Sequence, residues 1–199
     1  MTQQWTGILW VMVAYLLGAI PFGYLLVRLK EGKDIRAVGS GNIGATNVLR
    51  ATGRSTALVT LALDTAKGYL AVLVTGYFTH QDRQFIALAA GAALAGHVFP
   101  VYLKFKGGKG VATGMGIFLY LATLPLLGSM ALFLVVVAIW RFVSLGSILG
   151  TAAFPILYFL IDYRREPSFW TLLAIVFCSS LVIFRHKDNI KRLAAGTEN

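Results

Sequence analysis

Between positions 111 and 140 the chain carries thirty consecutive residues without a charge. As one α-helix that run would be about 45 Å long, well beyond the ~30 Å hydrocarbon core of a bilayer. Pro125 and Gly128 lie near its middle, where a turn is plausible. The run therefore reads as two short membrane spans, 111–124 and 126–140. Other apolar runs extend over 5–27, 55–78, 85–103, 144–161 and 169–184. With 57% hydrophobic and 13% charged residues, the fold class expected is all-α, a polytopic helical membrane protein with seven transmembrane helices. A β-barrel is excluded, because the apolar runs are continuous and do not alternate apolar with polar residues.

Topology follows from charge. With seven spans and the N-terminus outside, fourteen lysines and arginines fall in cytoplasmic segments and three outside, while Lys67 lies within a span. If 111–140 were a single span, the count would be eleven against six. The positive-inside rule favours seven, with the N-terminus outside and the C-terminus cytoplasmic. The same placement explains the net charge of +10 without nucleic acid, because the basic residues sit between apolar spans. The start, Met1-Thr-Gln-Gln, lacks the basic region and small-residue site of a signal peptide, so the first span is expected to be retained. A single cysteine, Cys178 within an apolar run, gives no internal disulfide framework.

Three polar islands interrupt the apolar pattern and are expected to converge on the cytoplasmic face. The first is Gly39-Ser40-Gly41-Asn42-Ile-Gly44-Ala-Thr46-Asn47-Val-Leu-Arg50. Glycines let the backbone turn and approach a ligand, the short polar side chains cap and bond locally, and a helix start presents N–H groups to an anion beside the fixed Arg50 charge. We read it as one wall of a phosphate site. It spells GxGxxG, but a membrane span precedes it where a dinucleotide fold needs a strand. The second runs from Gly96-His97 through Lys104 and Lys106 to Gly107-Gly108-Lys109-Gly110. It offers a second anion-binding concavity, yet it is no P-loop, since Gly110 follows Lys109 where Ser or Thr would stand. The third is the tail from His186, with Asn189 one helical turn on. Ser147 lies near the start of the sixth span, where it faces either the site or its own helix backbone. Asp64 and Lys67, three apart inside the second span, are expected to neutralise one another.

Together these islands resemble the bacterial integral-membrane glycerol-3-phosphate acyltransferases that use acyl phosphate as donor, the PlsY family. The resemblance rests on GSGNIGATNVLR from Gly39, GHVFPVYLKFKGGKGVAT from Gly96 and HKDNIKRLAAGTE from His186, with the runs ending at Ser147 and around Asp64 and Lys67. It implies one transmembrane acyltransferase domain over 1–199 in the bacterial inner membrane, with the active site on the cytoplasmic side. It further implies transfer of a fatty acyl group from acyl phosphate to glycerol 3-phosphate, giving lysophosphatidic acid for phospholipid synthesis. Ser40, Arg50, Lys109, Ser147, His186 and Asn189 would line the site. Gly39, Gly41, Asn42, Gly44, Thr46, Asn47, Lys104, Gly107, Gly108 and Gly110 would help bind substrate. Membrane lipid and an upstream acyl-phosphate-producing enzyme are the partners implied, and neither nucleic acid nor a cofactor is expected. Nor is a metal, the three histidines being scattered.

Neither GxSxG nor HxxxxD occurs, since Tyr102 stands five residues after His97 and Lys191 five after His186. Direct attack by the glycerol hydroxyl is therefore expected, without a covalent acyl-enzyme. The base is left between an oxygen of the donor phosphate and His97 or His186. A transporter would call for repeats and midplane sites that the sequence lacks. A lipid-binding scaffold would form no acylated product.

Overall fold

The computed structural model describes residues 2–198; Met1, where the leaderless start was expected, and Asn199, at the end of the basic tail, lie outside it. Among the described residues all regular structure is helical. The chain divides after Ile117 into two compact units.

In the first unit, α1 (Gln3–Ala19) and α2 (Phe22–Glu31) form one broken apolar stretch. The break falls at Ile20–Pro21, where proline has no N–H to donate and forces its predecessor out of the helical region. Gly18 marks a close approach between helices. A Cβ there would strike the Ala93 backbone, so it is a point where α1 lies directly against α5 (Arg83–Val98). After α2 the chain makes a short turn at Ile35–Ala37, then α3 (Ala45–Thr52) and the long α4 (Arg54–Phe78). Thr60, Thr75 and Thr79 are buried, and each donates to a carbonyl four residues earlier. Their hydroxyls are thus satisfied without a partner outside the helix, as an apolar surround demands. Large apolar side chains such as Leu58, Leu70 and Leu88 point outward, which suits lipid as solvent.

The division between units falls within α6 (Val111–Leu121). The second unit continues with α7 (Thr123–Trp140), α8 (Val143–Tyr158), α9 (Phe169–Arg185) and the short α10 (Lys187–Ala194). The long uncharged run breaks at Ala122, not at Pro125. Pro125 instead sits in the first turn of α7, where its missing N–H would have no intrahelical acceptor. Beyond α8, which contains Pro155, the helix widens into a π-type turn over Phe159–Tyr163, past the expected end of that span. α9 and α10 meet at His186 with a bend of 54°.

Five stretches are long and apolar enough to cross a membrane: Gln3–Glu31, α4, Arg83–Leu103, α7 and Val143–Tyr163. α9 passes the same test together with α10, and α6 is apolar but only 11 residues long. Each of the seven expected spans therefore corresponds to an apolar helical stretch, and the protein is a helical integral membrane protein.

Candidate active site

The first polar island stands on an apolar footing of Val27, Ile35, Ile43, Val48, Ala57 and Leu103, with Tyr24 and Val38 packed against it. At its entry Asp34 accepts from the Arg36 backbone N–H at 2.9 Å and pairs with the Arg36 guanidinium at 2.7 Å. The hydrogen bond from that guanidinium holds the Asp34 carboxyl below its ordinary range. Gly39 and Gly41 then reverse the chain at φ +57° and +69°, left-handed values that other residues resist. The loop is held together by Asn47, which is buried on α3. Its Oδ1 accepts from the Ser40 N–H at 3.0 Å, and its Nδ2 donates to the carbonyls of Ile35, Val38 and Asn42. Asn42 in turn accepts from the Gly44 N–H at 2.9 Å.

Asn47 and Asn42 thus serve as internal braces. The groups turned outward are Ser40, Thr46 and Arg50, all exposed. Thr46 and Arg50 are four apart on α3, so they share a face, and helical side chains lean toward the N-terminus. Gly44 caps α3 without a side-chain bond to its first turn. A helix start of this kind, with a guanidinium one turn on, has the charge and donors to receive a phosphate.

The second island begins where α5 ends. Lys104 and Phe105 occupy left-handed backbone at φ +52° and +62°, a strained pair that throws both side chains outward. The chain then returns across the end of α5. The Gly108 N–H donates to the His97 carbonyl at 3.1 Å. A Cβ on Gly107 would strike the His97 carbonyl oxygen, and one on Gly108 would strike His97 Nε2. Gly110, at φ +88°, turns the chain into α6. Lys109 is thereby presented, half-buried, between two glycines at a helix entrance. Beneath this turn His97 is buried, with Nδ1 3.1 Å from Thr113 Oγ1 and 3.8 Å from Asp64 Oδ1. Asp64 and Lys67, both buried, form the expected ion pair at 2.7 Å.

In the second unit Ser147 donates to the Val143 carbonyl at 2.9 Å, the local bond open to any helical serine. His186 and Asn189 are both buried at the α9–α10 bend. His186 Nδ1 lies 2.8 Å from the Val182 carbonyl, which can only accept, so Nδ1 is the donor there. Gly196, at φ +66°, turns the tail back. Glu198 then accepts from Ser144 Oγ and Asn189 Nδ2, each at 2.6 Å, and from Arg192 Nε at 2.7 Å. Burial works against ionising that carboxyl, but the three donors outweigh it and hold Glu198 below the usual carboxylate range.

The family model described as Glycerol-3-phosphate acyltransferase matches residues 8–196. The chain is a member of that family. A glycerol-3-phosphate acyltransferase of Trichlorobacter lovleyi is 48% identical, the match covering 97% of this chain and 96% of the relative. Another from Syntrophotalea carbinolica is 49% identical over 95% and 94%. Among solved structures, PlsY, an integral membrane glycerol 3-phosphate acyltransferase, in its glycerol 3-phosphate form superposes with a TM-score of 0.90 at 37% identity. That match covers 97% of this chain and 94% of PlsY. The lysophosphatidic acid form gives 0.86 at 35% identity, with the same coverage.

Within this acyltransferase fold the structure gathers Gly39, Ser40, Gly41, Asn42, Gly44, Thr46, Asn47 and Arg50 into one loop and helix. It gathers His97, Gly107, Gly108, Lys109 and Gly110 into one turn, with Lys104 on the exposed approach to it. Glu198, which the sequence pattern does not single out, ties the tail to Ser144, Asn189 and Arg192. Its one sequence signal is a carboxylate two residues after Gly196, behind an amphipathic helix. Among the described residues no group of three or more histidines, cysteines and carboxylates could hold a metal ion.

Proposed function

We propose that this protein transfers a fatty acyl group from acyl phosphate to glycerol 3-phosphate, forming lysophosphatidic acid and inorganic phosphate. The observation that carries the reading is the match, over nearly the whole chain, to a relative solved in both a glycerol 3-phosphate and a lysophosphatidic acid form. Two features of this chain support a donor that also carries phosphate. There are two separate glycine-bearing turns, each leading into a helix and each beside a basic side chain, Arg50 and Lys109.

The acyl phosphate is already activated, so the protein's tasks are to position a hydroxyl and to stabilise developing negative charge. The glycerol hydroxyl oxygen bonds to the acyl carbonyl carbon as the bond from that carbon to the phosphate oxygen breaks. The hydroxyl proton leaves with the departing phosphate, and no acyl-enzyme forms. Arg50 and Lys109 hold phosphate groups; Ser40 and the loop amides donate to phosphate or to the carbonyl oxyanion. Ser147, His186 and Asn189 complete the substrate contacts, and 1–199 acts as one acyltransferase domain. The charge asymmetry supports seven crossings, an outside N-terminus and chemistry on the cytoplasmic side of the bacterial inner membrane. There the substrate pool and an upstream acyl-phosphate-producing enzyme would meet the acyl chain's lipid surroundings.

The test is purified protein with labelled glycerol 3-phosphate, offered acyl phosphate or acyl-CoA, with and without chelator. Labelled lysophosphatidic acid from acyl phosphate, undiminished by chelator, is expected. Product only from acyl-CoA would overturn the donor, and no acylated product from either would overturn the reading. A histidine base would leave His97→Ala or His186→Ala slower by ~100-fold or more with binding retained; near-normal turnover in both leaves the donor phosphate as base.

A further inference from the structure

Asp64 is too elaborately surrounded for a residue whose only task is to neutralise Lys67. It is 2% exposed, and its Oδ1 has the Lys67 ammonium at 2.7 Å without a hydrogen bond in good geometry. That ammonium is already engaged elsewhere: it donates to the Ile20 carbonyl at 2.6 Å, at the proline break of the first span, and lies 5.6 Å from the Phe22 ring centre. Lysine there complements the partial negative charge at the end of α1. The same Asp64 oxygen stands 3.8 Å from His97 Nδ1, and Thr113 Oγ1 stands 3.1 Å from that nitrogen. At 3.8 Å the carboxylate packs beside the ring without a hydrogen bond, so the direct hold on Nδ1 is the Thr113 hydroxyl, and Nε2 lies on the side that faces Gly108.

The backbones around this cluster leave it little room to shift. A Cβ on Gly68 would strike the Thr113 carbonyl, and one on Gly116 would strike the Thr65 carbonyl, so α4 and α6 lie in direct backbone contact on either side of it. His97 in turn carries the second polar island. Its carbonyl accepts from the Gly108 N–H, and its ring occupies the space where a Gly108 side chain would be.

We propose that Asp64 is a positioning residue which, with Thr113, clamps the His97 ring and so sets the Gly107–Lys109 turn in the shape that grips a phosphate. Asp64 acts at one remove: it touches His97, and His97 shapes the turn. The proposal rests on the acyl-transfer reading above, with Lys109 holding one of the two phosphorylated substrates. It predicts that weakening the clamp raises the KM for that substrate and leaves the other KM unchanged. A purely structural ion pair would do neither selectively.

Removing Asp64 alone would strand a buried ammonium and endanger folding. The informative variant is therefore Asp64→Asn with Lys67→Met, which removes both charges at similar volume. Purified protein is assayed for thermal unfolding and for both KM values, with Lys109→Ala identifying the substrate held by the turn. The expected result is a melting temperature near that of the wild type with that substrate's KM raised about tenfold. His97→Asn should raise it by less in the double variant than in the wild type, since both changes act through one contact. Thr113→Val, which leaves the ion pair intact, should raise the same KM several-fold. Wild-type KM values in the double variant, or an additive effect of His97→Asn, overturn the proposal. If the double variant does not accumulate, Thr113→Val decides by itself, and an unchanged KM there overturns it. Absence of acylated product from the wild type in the same assay would instead overturn the acyl-transfer reading.

Discussion

The two glycine-rich islands have similar compositions and are built on different physics. In the first, Gly39 and Gly41 are required by backbone direction, and the loop's shape is then held by one side chain, Asn47, which bonds four backbone groups. In the second, Gly107 and Gly108 are required by space, because the chain lies on the end of α5 and on the His97 ring. One loop is braced by a side-chain amide from within, the other by close contact from below. Glycine counts alone do not distinguish them, and a substitution series does.

The largest effect is expected at Asn47. Asn47→Ala removes the acceptor of the Ser40 N–H and the donor to three carbonyls, at ~1–3 kcal/mol for each buried group left unsatisfied. Activity should fall below detection, with a melting temperature lower by several degrees; a stable, active variant would show that the loop is held by something else. Next comes Gly108→Ala. Its new methyl group meets His97 Nε2, and overpacking of this kind costs ~1–3 kcal/mol. Activity should drop tenfold or more, and combining it with His97→Ala, which empties that space, should recover part of the stability loss. Failure of that recovery would break the contrast between the islands.

The smallest effect concerns the tail. The Glu198 carboxyl is held below its usual range by three donors. Its contribution is therefore complete at neutral pH and is lost as pH falls through that depressed folded-state pKa. Thermal stability followed from pH 7 to pH 3 should fall more steeply in the wild type than in Glu198→Gln. Equal slopes would mean that the tail tether adds nothing.

Much of this was legible in the sequence where the signal is local. The apolar runs marked the helical stretches, and the spacing of Asp64 and Lys67 foretold their ion pair. Glycines at 39 and 41 announced a reversal that the backbone makes. What was not legible depends on contacts between distant segments. Pro125 was expected to mark the end of one helix and instead helps begin another, because proline in a first turn costs no hydrogen bond. The glycines at 107 and 108 suggested a phosphate cradle, and only the fold reveals the His97 ring behind them. Asn42 and Asn47 were read as bonding locally, as they do, but which backbone groups Asn47 gathers depends on the folded loop. Glu198 gains its role from donors on α8 and α10, which no spacing rule relates.

The central claim is that each island grips one phosphorylated substrate, and steady-state kinetics of Arg50→Ala and Lys109→Ala against both substrates tests it most directly. Loss of a charged phosphate contact is worth ~1.5–3 kcal/mol, or about 10- to 100-fold in KM. The account predicts that one variant weakens chiefly the glycerol 3-phosphate KM and the other chiefly the acyl phosphate KM. Should both variants retain wild-type KM values, or both act on the same substrate alone, the two-cradle account would be contradicted.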